Sequence, residues 1–222
     1  MQILYSYISK ENHRYLMNEV ASSFSNDFQN KLFKYRRWQD TQLSLLGRVL
    51  LGEGLKKMNI PFDEDNVRYT NYNKPYFEGN EVKFNISHSG NIVVCAITKT
   101  YEVGIDVEML QSINIEDFKS QMTKLEWLRV VSSYNLESSF FDYWTQKEAV
   151  IKAHGIGLSI PLDSFEIIGD KAIIDEEIFF LKEIQLDNKY KCYVAFKDGI
   201  DPLVLNLQMI DPITVLNKFL KD

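Results

Sequence analysis

Val82-Lys83-Phe84-Asn85-Ile86-Ser87-His88-Ser89-Gly90-Asn91-Ile92-Val93-Val94-Cys95-Ala96-Ile97-Thr98 is the stretch that decides the architecture. Two runs rich in β-branched and aromatic residues, 82–86 and 92–98, flank the small polar segment 87–91 and predict an antiparallel hairpin. Upstream the pattern is mainly helical. Helices are expected over residues 12–23, 28–38 and 41–58, the last with Leu43, Leu46, Val49 and Leu50 on one face. Residues 1–8 and 66–70 read as strands, and 71–79, with Asn-Lys-Pro and Glu-Gly, as a loop.

The same order recurs downstream. Residues 102–108 read as a strand. Thr123-Lys124-Leu125-Glu126 matches a capping box and starts a helix to about 134. A second helix, from about 139 to 154, stops at Gly155 as a glycine C-cap requires. Strands are expected over 164–168, 177–185, 190–196 and 203–208. Helices followed by antiparallel strands in each half predict an α+β fold. The two lobes are expected at 1–103 and 104–222, meeting near Gly104, although no sequence repeat links them.

Composition narrows the function. The chain has 222 residues and a net charge of −6, which argues against nucleic acid as the main partner. No apolar run approaches the roughly 20 residues of a membrane span, and the N-terminus carries no signal-peptide pattern. Cys95 and Cys192 are too few and too far apart for a disulfide framework or a zinc site. They read as buried reduced thiols, and the protein as a cytoplasmic monomer. Within the acidic chain, 31–57 is locally basic (Lys31, Lys34, Arg36, Arg37, Arg48, Lys56, Lys57). It reads either as a site for a small anion or as a solvated helix face.

Three constellations carry possible chemistry. Asp106 and Glu108, two apart on a strand, share a face. They are either a solvated edge or two carboxylates brought close, which need a cation such as Mg²⁺ between them. Trp144, Glu148 and Lys152 form one i, i+4 row on a helix. Alone, Glu148 and Lys152 could be a surface ion pair. Ser87 and His88, read as part of the hairpin turn, gather a hydroxyl, an imidazole and turn amides into a possible phosphate cradle. A serine-hydrolase pair there fails, because neighbouring strand residues point apart.

In order and spacing these segments resemble the Sfp-type 4′-phosphopantetheinyl transferases. The matching pieces are Asn85-Ile86-Ser87-His88-Ser89, Gly104-Ile105-Asp106-Val107-Glu108 and Trp144-x-x-Lys147-Glu148-Ala149-x-x-Lys152, followed by Gly157-Leu158-Ser159. Lys74-Pro75 matches the family's Gly-Lys-Pro loop, with Asn73 in place of glycine. The likeness runs from the Lys31 region to the strand after Pro161.

The resemblance implies a pseudo-dimer of two lobes, each a helix on a small antiparallel sheet, with coenzyme A in the active site between them. It implies Mg²⁺ held by Asp106, Glu108 and Glu148, and Lys152 on the pyrophosphate. Ser87 and His88 would meet the adenosine phosphates, with Lys31 and Lys34 nearby and Lys74 along the nucleotide. Glu126 would be either a catalytic base or only a helix cap. The partner would be an apo acyl or peptidyl carrier protein, met by an apolar patch around Met122, Leu125, Trp127 and Leu128, or those residues face the core. Gln42 and Leu43 stand where relatives often carry an arginine for the 3′-phosphate; Arg36, Arg37 or Arg48 could replace it. Two rivals remain at this point: a Mg²⁺-dependent phosphohydrolase, and a non-catalytic binding module.

Overall fold

In the computed structural model, which describes residues 1–79, 82–197, 204–211 and 213, the hairpin forms with a tighter turn than expected. Strands β4 (Lys83–Ser89) and β5 (Ile92–Thr98) pair from Lys83↔Thr98 to Ser89↔Ile92. Only Gly90, in the left-handed region at φ 55°, and Asn91 remain for the turn. Ser87 and His88 therefore stand on the strand and point to opposite faces, Ser87 buried and His88 exposed. The expected five-residue cradle does not form, because a two-residue turn lets both strands run further.

The chain divides into two compact units. The first comprises residues 1–68, 75–99 and 204–222, the second 69–74 and 100–203. In the first, β1 (Gln2–Tyr7) pairs antiparallel with β5 and parallel with β11 (Asn206–Met209), giving the order β11-β1-β5-β4. Every residue of β5 is buried, as its unbroken apolar sequence requires. Helix α3 (Trp38–Lys57) packs Leu46, Leu50 and their neighbours on Leu4, Val93, Cys95 and Ile97. It is buried nearly all round, because the short α1 (Lys10–Tyr15) and α2 (Asn26–Leu32) belong to the same layer.

Several expected boundaries moved. The helix expected over 12–23 starts at Lys10 and changes into a π-helical turn, Leu16–Val20. The helix expected over 28–38 is α2, which ends at Leu32, and Trp38 opens α3 instead. Within the expected loop 71–79, β3 (Pro75–Phe77) pairs with β2 (Val67–Tyr69). Gln42 is fully buried: its Oε1 accepts from Ser9 N at 2.8 Å and its Nε2 donates to Ser9 O at 3.1 Å. This explains the departure at that position, since the side chain clamps the segment after β1.

The second unit is an antiparallel sheet in the order β6-β10-β9-β8-β7. Its strands are β6 (Val103–Met109), β7 (Ile167–Ile168), β8 (Lys171–Ile174), β9 (Glu177–Glu183) and β10 (Tyr190–Lys197). Strand β8 was not anticipated; it completes the Gly169-Asp170 turn from β7. Helix α4 (Lys124–Val131) packs on α5 (Leu136–His154), which crosses β6 and β10. Asn135 caps α5 by accepting from Ser138 N at 3.0 Å, so the helix starts three residues earlier than expected. It ends at Gly155, φ 95°. Mixed helices and antiparallel sheets bear out the α+β reading. Among the described residues, no helix is long and apolar enough to cross a membrane. Cys95 and Cys192 are both buried free thiols, each pushed up by burial.

Candidate active site

The site is built where β6 and α5 touch. A Cβ on Gly104 would fall 2.1 Å from Ala149 O and 2.3 Å from Ala153 N, so only glycine allows the strand and helix to lie this close. Asp106 and Glu108 follow at two-residue spacing and share Gly104's helix-facing side. On α5, Glu148 and Lys152 are one turn apart. Lys152 Nζ donates to Asp106 Oδ1 at 2.5 Å, and Asp106 is buried.

The Glu148 carboxyl is pushed up, mainly by burial; Asp106 and Glu108 add repulsion, while the Lys152 ammonium opposes the shift. Asp106 and Glu108 thus both act on Glu148, and the burial of Asp106 rules out its solvated-edge reading. Trp144, the head of the row, is half-buried. Its ring stacks on Phe140 (6.0 Å, 22°) and meets Phe118 edge-on (5.3 Å, 76°), anchoring the helix from its apolar side.

A carboxyl whose folded pKa is raised binds its proton more tightly in the folded chain. Its contribution to stability is present at acid pH and lost as pH rises through the folded value. Glu148→Gln removes the charge, so at pH 7 without divalent cation the variant is expected to melt higher than the parent. Each kcal/mol is read as about 2–4 °C for a chain of this size. The gain should shrink below the ordinary carboxylate range. A lower melting temperature at pH 7 would contradict this account.

Among the described residues, no three His, Cys, Asp or Glu side chains already stand together as a ligand set. The donor chemistry nevertheless fits Mg²⁺: hard oxygens, mutual repulsion, and a cation (Lys152) already drawn to Asp106.

Beside this group lies a second buried charge pair. The capping box forms as expected, with Thr123 N donating to Glu126 Oε2 at 3.0 Å and Glu126 N to Thr123 Oγ1 at 3.3 Å. Glu126 Oε1 is also 2.6 Å from Lys147 Nζ, and both side chains are buried. Lys147 donates to Leu162 O at 2.8 Å and to Phe165 O. Sequence reading missed this pair, because a lysine gives no compositional sign of burial.

The other expected residues are distributed as follows. Lys74, in the second unit, donates to Ala153 O at 3.2 Å and lies 3.5 Å from Glu102 Oε2. It thus serves the C-terminus of α5, where a cation is favoured. Lys31 and Lys34 are exposed at and just after the end of α2, in the first unit with Ser87 and His88. Arg48 is turned inward, 3.8 Å from Glu64 and over the Phe28 ring, which takes it off the surface. Arg36 and Arg37 stay exposed. Of the expected apolar patch, Met122 is buried and Trp127 half-buried in the core, whereas Leu125 and Leu128 are exposed, joined by Val131.

A polar lock between α5 and β10 was also unforeseen. Tyr193 OH donates to Asp142 Oδ1 at 2.7 Å, and Gln146 Nε2 to Asp142 Oδ2 at 3.2 Å. Lys191 Nζ lies 3.0 Å from Asp142 Oδ1 and 3.2 Å from Glu183 Oε1. The only sequence signal was alternation in 190–193, which put Lys191 and Tyr193 on different faces from their neighbours.

Comparison with known proteins bears on this geometry. Residues 102–197, which hold the carboxylates, match the model of the 4′-phosphopantetheinyl transferase superfamily. Residues 11–100 match that of the 4′-phosphopantetheinyl transferase N-terminal domain. The chain is 36% identical over 170 residues to the 4′-phosphopantetheinyl transferase gsp of Aneurinibacillus migulanus, covering 75% of this chain and 71% of that one. It is 32% identical over 163 residues to the 4′-phosphopantetheinyl transferase Sfp of Bacillus subtilis, covering 71% and 70%. With the L-aminoadipate-semialdehyde dehydrogenase-phosphopantetheinyl transferase of Xenopus laevis it shares 30% over 189 residues, covering 71% and 63%. Among solved structures, the holo-[acyl-carrier-protein] synthase of Thermotoga maritima aligns with 44% of this chain and 64% of its own at 16% identity. The TM-score is 0.38, too partial to bear on the fold.

Proposed function

This chain belongs to the 4′-phosphopantetheinyl transferase superfamily, and from that premise we propose that it moves the 4′-phosphopantetheine group of coenzyme A onto a serine of an apo acyl or peptidyl carrier protein. The serine oxygen forms a bond to the β-phosphorus of coenzyme A. The bond to the nucleotide breaks, releasing adenosine 3′,5′-bisphosphate, and the hydroxyl proton passes to a carboxylate. The observation that carries this reading is the repulsion of Glu148 by Asp106 and Glu108, with Lys152 against Asp106, inside the segment that matches the family.

Asp106, Glu108 and Glu148 would hold Mg²⁺, which when bound neutralises the diphosphate. Lys152 offsets charge on the diphosphate as the nucleotide leaves. Glu148 takes the serine proton. Glu126, tied through one oxygen to Thr123 and through the other to Lys147, holds α4 against α5 rather than accepting a proton. Lys74, in the same unit as the carboxylates, is the further group for the nucleotide phosphates. The exposed row Leu125, Leu128 and Val131, flanked by Lys119, Lys124 and Arg129, meets the carrier, whose acidic helices suit those cations. The reaction belongs in the cytoplasm, with the chain acting as a monomer.

Incubation with coenzyme A, Mg²⁺ and an apo carrier is expected to add the mass of one phosphopantetheine to the carrier. Asp106→Ala should lower that rate by at least about 10²-fold. Phosphate release without carrier labelling would instead identify a phosphohydrolase, and full activity of Asp106→Ala would remove the metal assignment.

A further inference from the structure

We propose that Asp142 is a positioning residue: it holds the Lys191 ammonium away from Glu108 and so keeps that carboxylate for a divalent cation. The inference rests on the Mg²⁺ reading above. Its basis is the register of β6 against β10, which sets Lys191 directly opposite Glu108, and Tyr193 directly opposite Asp106. Directly opposed residues of an antiparallel pair share a face with Cβ atoms about 4.5–5.5 Å apart, and opposite charges there attract. A Lys191–Glu108 pair is therefore what this register favours.

The structure has another arrangement. Lys191 turns to Asp142 Oδ1 at 3.0 Å and to Glu183 Oε1 at 3.2 Å. Burial alone would lower the Lys191 pKa, but the Asp142 and Glu183 contacts outweigh it and hold it up, so the ammonium stays charged. Asp142 is itself fixed: Tyr193 OH and the Gln146 amide donate to its two oxygens, and it sits on the same helix as Glu148. Asp142 on α5 and Glu183 on β9 thus bind the ammonium that stands opposite Glu108, and Tyr193 and Gln146 fix Asp142 for it. Groups that orient metal ligands from behind in this way typically change metal affinity by about 10–100-fold when removed.

The test uses Mn²⁺ as probe, with affinity read by calorimetry or by the electron paramagnetic resonance of free Mn²⁺, and no turnover required. Asp142→Asn keeps shape but loses charge, and it is expected to weaken Mn²⁺ binding about tenfold or more. Adding Lys191→Met to that variant should restore the parent affinity, because the competing ammonium is gone. Glu183→Gln, at an exposed position where folding is not at stake, should weaken binding in the same direction but less.

Unchanged affinity in both Asp142→Asn and Glu183→Gln, or a double variant as weak as Asp142→Asn alone, would overturn the proposal. Failure of the underlying metal reading looks different: Mn²⁺ binding by the parent chain would then be absent or survive Asp106→Ala.

Discussion

Gly104→Ala is expected to be among the most damaging single substitutions in the chain, costing about 3 kcal/mol or more, with turnover lowered by at least about 10²-fold. The new methyl would meet Ala149 O at 2.1 Å, Ala153 N at 2.3 Å and Lys152 C at 2.8 Å. All three are backbone atoms of α5, so no rotamer change relieves the clash, and helix and strand must separate. That shift acts on the residues of the site. Lys152 would leave Asp106, and Glu148 would move from Asp106 and Glu108. Urea denaturation and the carrier-labelling rate together check it. An unchanged midpoint with full activity would show that β6 and α5 do not depend on this approach.

Lys147→Ala is expected to cost about 3–5 kcal/mol, the usual penalty for breaking a buried ion pair from one side. Lys147 is wholly buried, 2.6 Å from Glu126 Oε1, and donates to Leu162 O and Phe165 O. Its ammonium also stands over the Phe165 ring at 4.1 Å. Alanine leaves a buried carboxylate and two buried carbonyls without their cation. Because Glu126 is also the N3 residue of α4, the start of that helix weakens with it. Pairing Lys147→Met with Glu126→Gln removes both charges and should recover much of the loss. Chemical denaturation of the two variants decides this: equal instability would mean that packing, not the orphaned charge, sets the cost.

Local patterns in the sequence carried far. The hairpin 82–98, the Thr123 capping box, the stop of α5 at Gly155 and the shared face of Asp106 and Glu108 are set within a few residues. Each formed. What failed depended on distant partners. The strand expected over 203–208 formed as β11, but its parallel pairing with β1, some two hundred positions away, has no local signal. The Ser87-His88 cradle was misjudged because polar residues look like a turn until cross-strand partners extend the ladder to Ser89. Lys147 and Gln42 were illegible for one reason: a long polar side chain is buried only when backbone groups elsewhere in the fold receive it.

The parallel pairing of β1 with β11 bears on how the protein matures on the ribosome. Strand β1 emerges before the rest of its sheet, yet one of its two neighbours comes from residues 206–209. At roughly 5–20 residues per second, the nascent chain carries an open β1 edge for many seconds. The β6–β10 sheet, by contrast, is fully translated by Lys197. The second unit can thus complete its sheet before the first. Truncation before residue 206 would leave β1 as a lasting edge strand, the kind of surface that recruits other chains.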